Sequence, residues 1–315
     1  MLLKSSGINN AHINDHRPSG IINLNKPQNY TSHDCVSVMR RLTGIKKIGH
    51  TGTLDPMAEG VLPICIGSAT RIMEYLSGDM KKYRCTVRLG IETDTLDIWG
   101  ETTAEHEPCF SAEDVARAVS GFSGEIQQVP PMYSALKVDG KRLYKYAREG
   151  QEIAVKPRKI IINDLTVEEI ENNEITFTVE CSKGTYIRSI CRDIGDALGC
   201  GGAMASLTRL RSGVFDIRDS LTLEELEQMR PDEIFASMKE PDYPLTHFGH
   251  VEIGRDAAED FICGKLIDDE RAIMTRISSY SGMFCMYYAG KFIGTAHYSD
   301  IDRQYKPHKV FTVCI

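Results

Sequence analysis

The stretch Gly49-His50-Thr51-Gly52-Thr53-Leu54-Asp55-Pro56, continued by Met57-Ala58-Glu59-Gly60-Val61-Leu62-Pro63, is punctuated by glycine and proline along its whole length. That spacing rules out regular helix or a long strand, so the stretch reads as a loop. Both flanks read as ordered: a basic, helix-like segment precedes it, and an apolar run, Val61 to Ile66, follows it. A loop held between two ordered elements is a common seat of chemistry. Its most closely framed carboxylate is Asp55. A residue before proline is driven out of the helical region into extended backbone, so Pro56 fixes the direction in which Asp55 points. The same dipeptide also starts turns, and local sequence alone favours the turn.

Outward from the loop, Gly20 to Asn25 reads as a short strand ending at Lys26-Pro27. Thr31-Ser32 caps a helix to about Leu42, and Gly44 stops it. Val61 to Ile66 reads as a buried strand and Thr70 to Leu76 as a helix. Lys82 to Leu89 alternates, with Tyr83, Cys85, Val87 and Leu89 on one face, which is the period of a strand. A loop or hairpin around Gly90, Asp94 and Asp97 leads to Trp99, expected in a core or hinge. A helix is expected from Ser111 through Val119. Gln127 to Glu149 is an irregular, basic, tyrosine-bearing excursion, read either as a mobile flap over a substrate or as a surface hairpin. Arg158 to Val167 and Ile175 to Cys181 form an antiparallel pair separated by the polar Glu168 to Glu174. A helix from Tyr186 to Leu198, ended by Gly199, a short strand within Gly201 to Arg211, and a helix over Leu221 to Met229 follow. Beyond Pro241 to Pro244 the character changes. A helix at Arg255 to Cys263 and strands at Met283–Tyr288, Lys291–His297 and Lys309–Ile315 predict a small β-rich domain.

The 315 residues suffice for one large domain and a smaller one. No apolar run approaches the roughly eighteen residues of a membrane helix, and residues 1–19, polar for the most part and without the apolar core of a signal peptide, read as a flexible tail. Ten cysteines without a Cys-x-x-Cys pair fit reduced, mostly buried thiols in a cytoplasmic protein, with neither a disulfide framework nor a metal site. The net charge of −7 argues against a nucleic-acid partner, but its distribution does not. Arg40, Arg41, Lys46 and Lys47 lead into the loop; Lys81, Lys82 and Arg84 form a second cluster; Lys137, Lys141 and Arg142 begin a third. Basic clusters on an acidic chain fit a local polyanion site, because phosphate contacts are local.

Read together, the opening loop, Lys81-Lys82-Tyr83-Arg84 and Ser182-Lys183-Gly184-Thr185-Tyr186-Ile187-Arg188 resemble the TruB family of tRNA pseudouridine synthases. Asn25-Lys26-Pro27 and Val129-Pro130-Pro131-Met132-Tyr133-Ser134-Ala135-Leu136-Lys137 match two further segments of that family, in order, between about Gly20 and Arg211. The resemblance implies an α+β pseudouridine synthase fold: a mixed, mostly antiparallel sheet with flanking helices and a thumb insertion at about 127–156. It implies a catalytic domain over 20–245 and a PUA-like RNA-binding domain over 246–315. By the same resemblance Asp55 is catalytic, Tyr83 is the active-site tyrosine and Arg188 pairs with the aspartate. His50 lies beside the displaced base, Leu207 packs in the pocket, and Tyr186 supports the site. Lys26, Arg40, Arg41, Lys46, Lys47, Lys82, Lys137, Lys141, Arg142 and Arg209 are the RNA-binding candidates.

The expected substrate is the T arm of tRNA, at uridine 55, acted on by a monomer with no cofactor, no metal and no membrane partner. Two alternatives stand beside it: a guide-RNA-dependent synthase of the same superfamily, and a non-catalytic RNA-binding or tRNA-folding protein on this scaffold. The reaction moves the bond to C1′ from N1 to C5 of uracil, an isomerisation without net redox change. A carboxylate can serve it as nucleophile or as base, and the residues leave the route open.

Overall fold

The computed structural model describes residues 18–76, 80–151, 153–280 and 282–311. The expected tail lies outside these residues but for its last two positions. Eight strands form the spine of the main sheet: β1 (Gly20–Lys26), β2 (Glu59–Ile66), β3 (Lys81–Leu89), β4 (Gly124–Gln128), β5 (Arg158–Glu171), β6 (Glu174–Cys181), β7 (Gly202–Ser212) and β8 (Leu221–Thr222). Their spatial order is β8-β1-β2-β7-β3-β6-β5-β4, and Ile48–His50 and Phe215–Asp216 join as short side strands. Only the β8/β1 and β7/β2 pairs are parallel. The sheet is therefore mixed and mostly antiparallel.

Local chemistry explains the element ends. Thr31 caps the helix Ser32–Thr43 reciprocally: its side chain accepts from the Asp34 amide, and the Asp34 carboxylate accepts from the Thr31 amide. Gly44, at φ 68°, closes that helix in the left-handed region. Arg40 and Arg41 in its last turn complement the helix dipole.

The apolar patterns follow from what covers each face. β3 alternates because only its Tyr83, Cys85, Val87 and Leu89 face enters the main core. β1 and β2 read as continuous apolar runs because both of their faces are covered. Ile22, Leu24, Leu62, Ile64 and Ile66 point into the main core. Ile21, Val61 and Cys65 point into a second core shared with Leu245, Phe248, Met283 and Cys285 of the C-terminal unit. Pro63, which cannot donate to a ladder, lies in the gap between the β7 contact at Glu59–Gly60 and the Ile48–His50 contact at Ile64–Ile66.

The C-terminal unit is a six-stranded sheet in the order Ile267–Asp268, Gln304–Val310, Lys291–Ser299, Met283–Tyr288, Gly249–Ile253, Ala272–Arg276, with the helix Arg255–Ile262. Among the described residues no helix is long and apolar enough to cross a membrane.

Some expectations need correction. The segment read as a helix from Thr70 begins as a 3-10 turn, Gly67–Ile72, and only Met73–Leu76 is α-helical. The polar Glu168–Glu171 is strand, not connection. β5 and β6 meet at Asn172-Asn173, where Asn172 takes φ 53°, and the exposed ladder positions there tolerate charge. The segment read as a helix from Leu221 opens with two residues of strand. Trp99 is 40% exposed rather than buried. The last strand among the described residues, Gln304–Val310, begins earlier than expected because pairing with Lys291–Ser299 sets its register; of the expected Lys309–Ile315, residues 312–315 lie outside the described residues. Pro307 is accommodated there because only Gln304 and Tyr305 carry a second neighbour strand. Gly249–Ile253 and Ala272–Arg276 are additional strands.

Candidate active site

The loop Thr51–Ala58 connects the antiparallel strands Ile48–His50 and β2. It is fastened to the fold at several backbone points. The Thr51 amide donates to the Pro63 carbonyl (3.1 Å), and the Asn29 amide donates to the Pro56 carbonyl (2.9 Å). Ser32 Oγ accepts from the Leu54 amide (2.9 Å) and reaches its carbonyl (3.2 Å). The Ala58 amide donates to the Asp55 carbonyl (3.1 Å), so Asp-Pro does form a turn. That turn directs the carboxylate into a cleft of about 540 Å³.

Two buried cations complete the loop's framework. Lys26 is fully buried, and its ammonium donates to the carbonyls of Pro27 (2.8 Å), Tyr30 (2.7 Å) and Pro56 (3.1 Å). Burial lowers its pKa, while Cys35, Asp55 and Glu59 oppose the shift. Arg209 is also buried; its Nε donates to the Val61 carbonyl (2.6 Å) and its Nη2 to the Gly52 carbonyl (3.1 Å). The backbone of Arg209 runs so close to Gly60 that a Cβ there would stand 2.3 Å from the Arg209 carbonyl oxygen. Gly60, at φ 101°, is the residue that permits the approach. The Lys26 ammonium is spent on three backbone carbonyls, and Arg209 spends Nε and Nη2 in the same way, so both are corrected from phosphate contacts to framework of the loop.

Arg188 stands at the start of the helix Ile187–Leu198, and its guanidinium is buried. Nε lies 3.0 Å from Asp55 Oδ2, and Nη1 lies 3.6 Å from Asp97 Oδ2. Nη1 also donates to the Thr95 carbonyl and Nη2 to the Tyr133 carbonyl, each at 2.9 Å. The planar fork is thereby fixed on several sides. The Asp55 side chain is 40% exposed against 8% for Arg188. The carboxylate is held from below and open to the cleft above. Asp97 is more enclosed; burial pushes its carboxyl pKa up, while Thr95 and Arg188 oppose the rise.

Tyr83 lies on β3, in register with Val179 and Arg209, and lines the same cleft. Burial raises its pKa and Arg209 opposes the rise, so the phenol is neutral at ordinary pH. Leu207 and Tyr186 are also in the wall. The backbone of Tyr186 is fixed by Gln128, whose amide donates to the Tyr186 carbonyl (3.1 Å) and accepts from its N–H (2.9 Å). His50 does not line the cleft. Its Nδ1 accepts from the Gly52 amide at 3.4 Å. Burial, then the charges of Arg209 and His33, lowers its pKa. The remaining basic candidates lie away from the cavity. Arg40 ties the end of its helix to the Lys46 carbonyl (3.1 Å), and Arg41 pairs with Glu227 at 2.5 Å. Lys46, Lys47, Lys137 and Arg142 are exposed, Lys82 is half-buried, and Lys141 pairs with Glu149.

The geometry thus offers a buried guanidinium, a half-open carboxylate and a neutral aromatic in one cleft. The model for the N-terminal domain of TruB family pseudouridylate synthases matches residues 40–187, and that for the tRNA pseudouridylate synthase B C-terminal domain matches residues 188–238. The tRNA pseudouridine synthase B of Alkaliphilus oremlandii is 42% identical over 293 residues, covering 93% of this chain and 97% of the relative. The chain belongs to the TruB family of pseudouridylate synthases. The relative from Clostridioides difficile is 45% identical over 278 residues, 87% of this chain and 92% of its own. Among solved structures, a Cbf5-Nop10-Gar1 complex has a chain with TM-score 0.72 and 25% identity, covering 94% of this chain and 86% of that one. An H/ACA RNP bound to a substrate RNA containing 2′-deoxyuridine gives TM-score 0.72 at 22% identity, covering 95% and 86%, which shows the shared fold. The two segments matched within the TruB family meet between Ile187 and Arg188, so Asp55 and Arg188 come from different sides of that junction.

Several residues of the cleft escaped the sequence reading. Asp97 was seen only as part of a loop or hairpin; it lies just beyond the short strand Ile91–Thr93 that follows the strand carrying Tyr83. Tyr133, Tyr144 and Arg148 enter the wall from the excursion, and Lys183 from the turn before Arg188. Among the described residues, three side chains hold a buried polar atom with no hydrogen-bond partner. Two of them, Thr51 and Ser134, line this cleft. No local pattern marks such atoms, because their state depends on what packs over them.

Proposed function

We propose that the protein isomerises uridine to pseudouridine in the T loop of tRNA, at position 55, by drawing the uridine out of its stack into the cleft. The observation that supports this reading best is the Asp55 carboxylate, held 3.0 Å from the buried Arg188 guanidinium yet open to the cleft beside Tyr83. Extrusion of a base costs a few kcal/mol, and stacking on an aromatic face such as that of Tyr83 offsets part of it. Leu207 and Leu54 supply an apolar surround. Asp55 then attacks C1′ or the uracil ring, or removes the proton beside C1′. In each case N1–C1′ breaks and N1 takes up a proton, C5–C1′ forms, the proton on C5 passes to solvent, and Asp55 gives back the bond or proton it took. Arg188 pairs with the carboxylate and aims it. The sum is an isomerisation, so neither an oxidant nor a leaving group is called for. Residues 246–315 are assigned a supporting contact with the RNA, by shape more than by charge. Several of their cations already pair with their own carboxylates: Arg255 with Glu259, Lys265 and Arg271 with Asp260, and Arg303 with Asp269.

The test is tritium release from a tRNA transcript carrying 5-tritiated uridine, with the purified protein and no partner. Release of one equivalent per tRNA, mapped to uridine 55, is expected. A well-folded protein without turnover on bare transcript supports the second reading, a guide-dependent enzyme. That reading is raised by the likeness to the Cbf5-containing structure.

A further inference from the structure

Five cations line the cleft: Lys81, Arg148, Lys183, Arg188 and Arg209. Three are committed within the protein. Arg188 holds Asp55 and Asp97, Arg209 holds the Gly52 and Val61 carbonyls, and Lys81 is buried with a partner of its own. The other two make no ion pair among the described residues. Arg148 touches only a ring, with its guanidinium carbon 5.4 Å from the Tyr144 centroid. The acid next to it, Glu149, is taken by Lys141. Lys183 is exposed.

Their backbones are nonetheless well placed. Lys183 sits in a turn whose Ser182 amide donates to the Ile161 carbonyl (2.8 Å) and whose Ser182 Oγ accepts from the Ile161 amide (2.9 Å). Thr185 Oγ1 donates to the Ser182 carbonyl (2.9 Å). Arg148 ends the short helix Leu143–Arg148. That helix is anchored by the fully buried Leu143 and by the Leu143 and Tyr144 amides, which donate to the Leu136 and Ser134 carbonyls. One uncommitted cation thus comes from each of two separate segments, and both reach the cavity that opens over Asp55.

We infer that Arg148 and Lys183 form a two-sided phosphate clamp at the cleft, gripping the phosphodiesters that adjoin the extruded nucleotide. The inference rests on the RNA-uridine reading of the cleft. A planar guanidinium suits bidentate phosphate contact, and an ammonium acts as a point charge. Phosphate contacts position the strand without reading its sequence. Arg148 and Lys183 are positioning residues; neither is assigned a part in bond making.

The experiment measures binding of a T-arm stem-loop RNA by fluorescence anisotropy across a potassium chloride series, together with kcat and KM on tRNA transcript. The proteins are the parent, Arg148→Ala, Lys183→Ala, the double variant, Arg148→Lys, and Arg117→Ala as an exposed cation outside the cleft. Each alanine in the clamp is expected to lower the slope of log affinity against log salt by about 0.7 to 0.9, and the double variant by about twice that. KM rises while kcat at saturating RNA holds, and Arg148→Lys restores the slope. Slopes for the double variant equal to those of parent and Arg117→Ala overturn the clamp, whatever the activity. A parent that binds with a normal slope but makes no pseudouridine overturns the catalytic reading and leaves the slopes to decide the clamp.

Discussion

Two basic segments border the cleft and use their charge in opposite ways. Around the Asp55 loop, the cations of Lys26, Arg188 and Arg209 are buried and spent on backbone carbonyls and carboxylates. On the excursion between Val129 and Gly150, Lys137, Arg142, Lys145 and Arg148 are exposed, and Arg148 lines the cavity with no acid paired to it among the described residues. The first arrangement builds a fixed wall behind Asp55. The second leaves charge available to a polyanion. A lysine or arginine in the sequence carries the same formal charge in both places; what separates them is whether other parts of the chain supply acceptors for its donors.

The contrast can be broken at several points. The largest effect is expected at Asp55. Asp55→Asn should lower turnover by roughly 10⁴-fold or more, the scale seen when a sole nucleophile or base is lost. RNA binding should persist, and turnover near the parent rate would remove Asp55 from the chemistry. Next, Arg209→Met leaves two buried carbonyls unpaired and should cost about 3 kcal/mol of stability. Arg148→Ala should fall within about 0.5 kcal/mol of the parent. Urea denaturation of both variants measures the difference, and equal costs would erase the division between framework and free charge.

A smaller effect is expected at His50. Burial lowers its folded pKa below 6.5. As pH falls through that value the unfolded chain takes up the proton first, so stability declines with acidification until the folded pKa is reached. His50→Gln should lose less stability between pH 7 and pH 5.5 than the parent does. A parallel pair of stability curves would refute the assignment. The smallest effect concerns Ser134, whose hydroxyl is buried without a partner. Ser134→Ala should leave the melting temperature unchanged or raise it by an amount worth up to about 1 kcal/mol. A clear drop would show that the hydroxyl has a partner in solution.

How much was legible follows the same division. The capped helix between Thr31 and Gly44, the alternating strand through Tyr83 and the helix stopped by Gly199 were readable because each is written in local chemistry. Asp55, Tyr83 and Arg188 were legible as spaced motifs, and the cleft collects them. Arg209 misled because its acceptors, Gly52 and Val61, are distant in sequence, and Lys26 because the chain must fold back from Pro27 to Tyr30 and bring up Pro56 before its ammonium is enclosed. Trp99 misled because a large apolar residue says nothing of what packs over it. The final strand was placed too late because its register is set by a neighbour strand and not by its own composition.

The second core has a consequence for how this molecule can be divided. Ile21, Val61 and Cys65 belong to the strands that lead to and from the Asp55 loop, yet they pack on Phe248, Met283 and Cys285. A change of sequence character near Pro244 therefore marks no seam along which the chain could be cut. Deleting the part beyond it would strip the back of the very strands that hold the Asp55 loop, presenting water with a bare apolar surface. The C-terminal unit serves as a buttress, and recombination between relatives would have to exchange it together with those two strands.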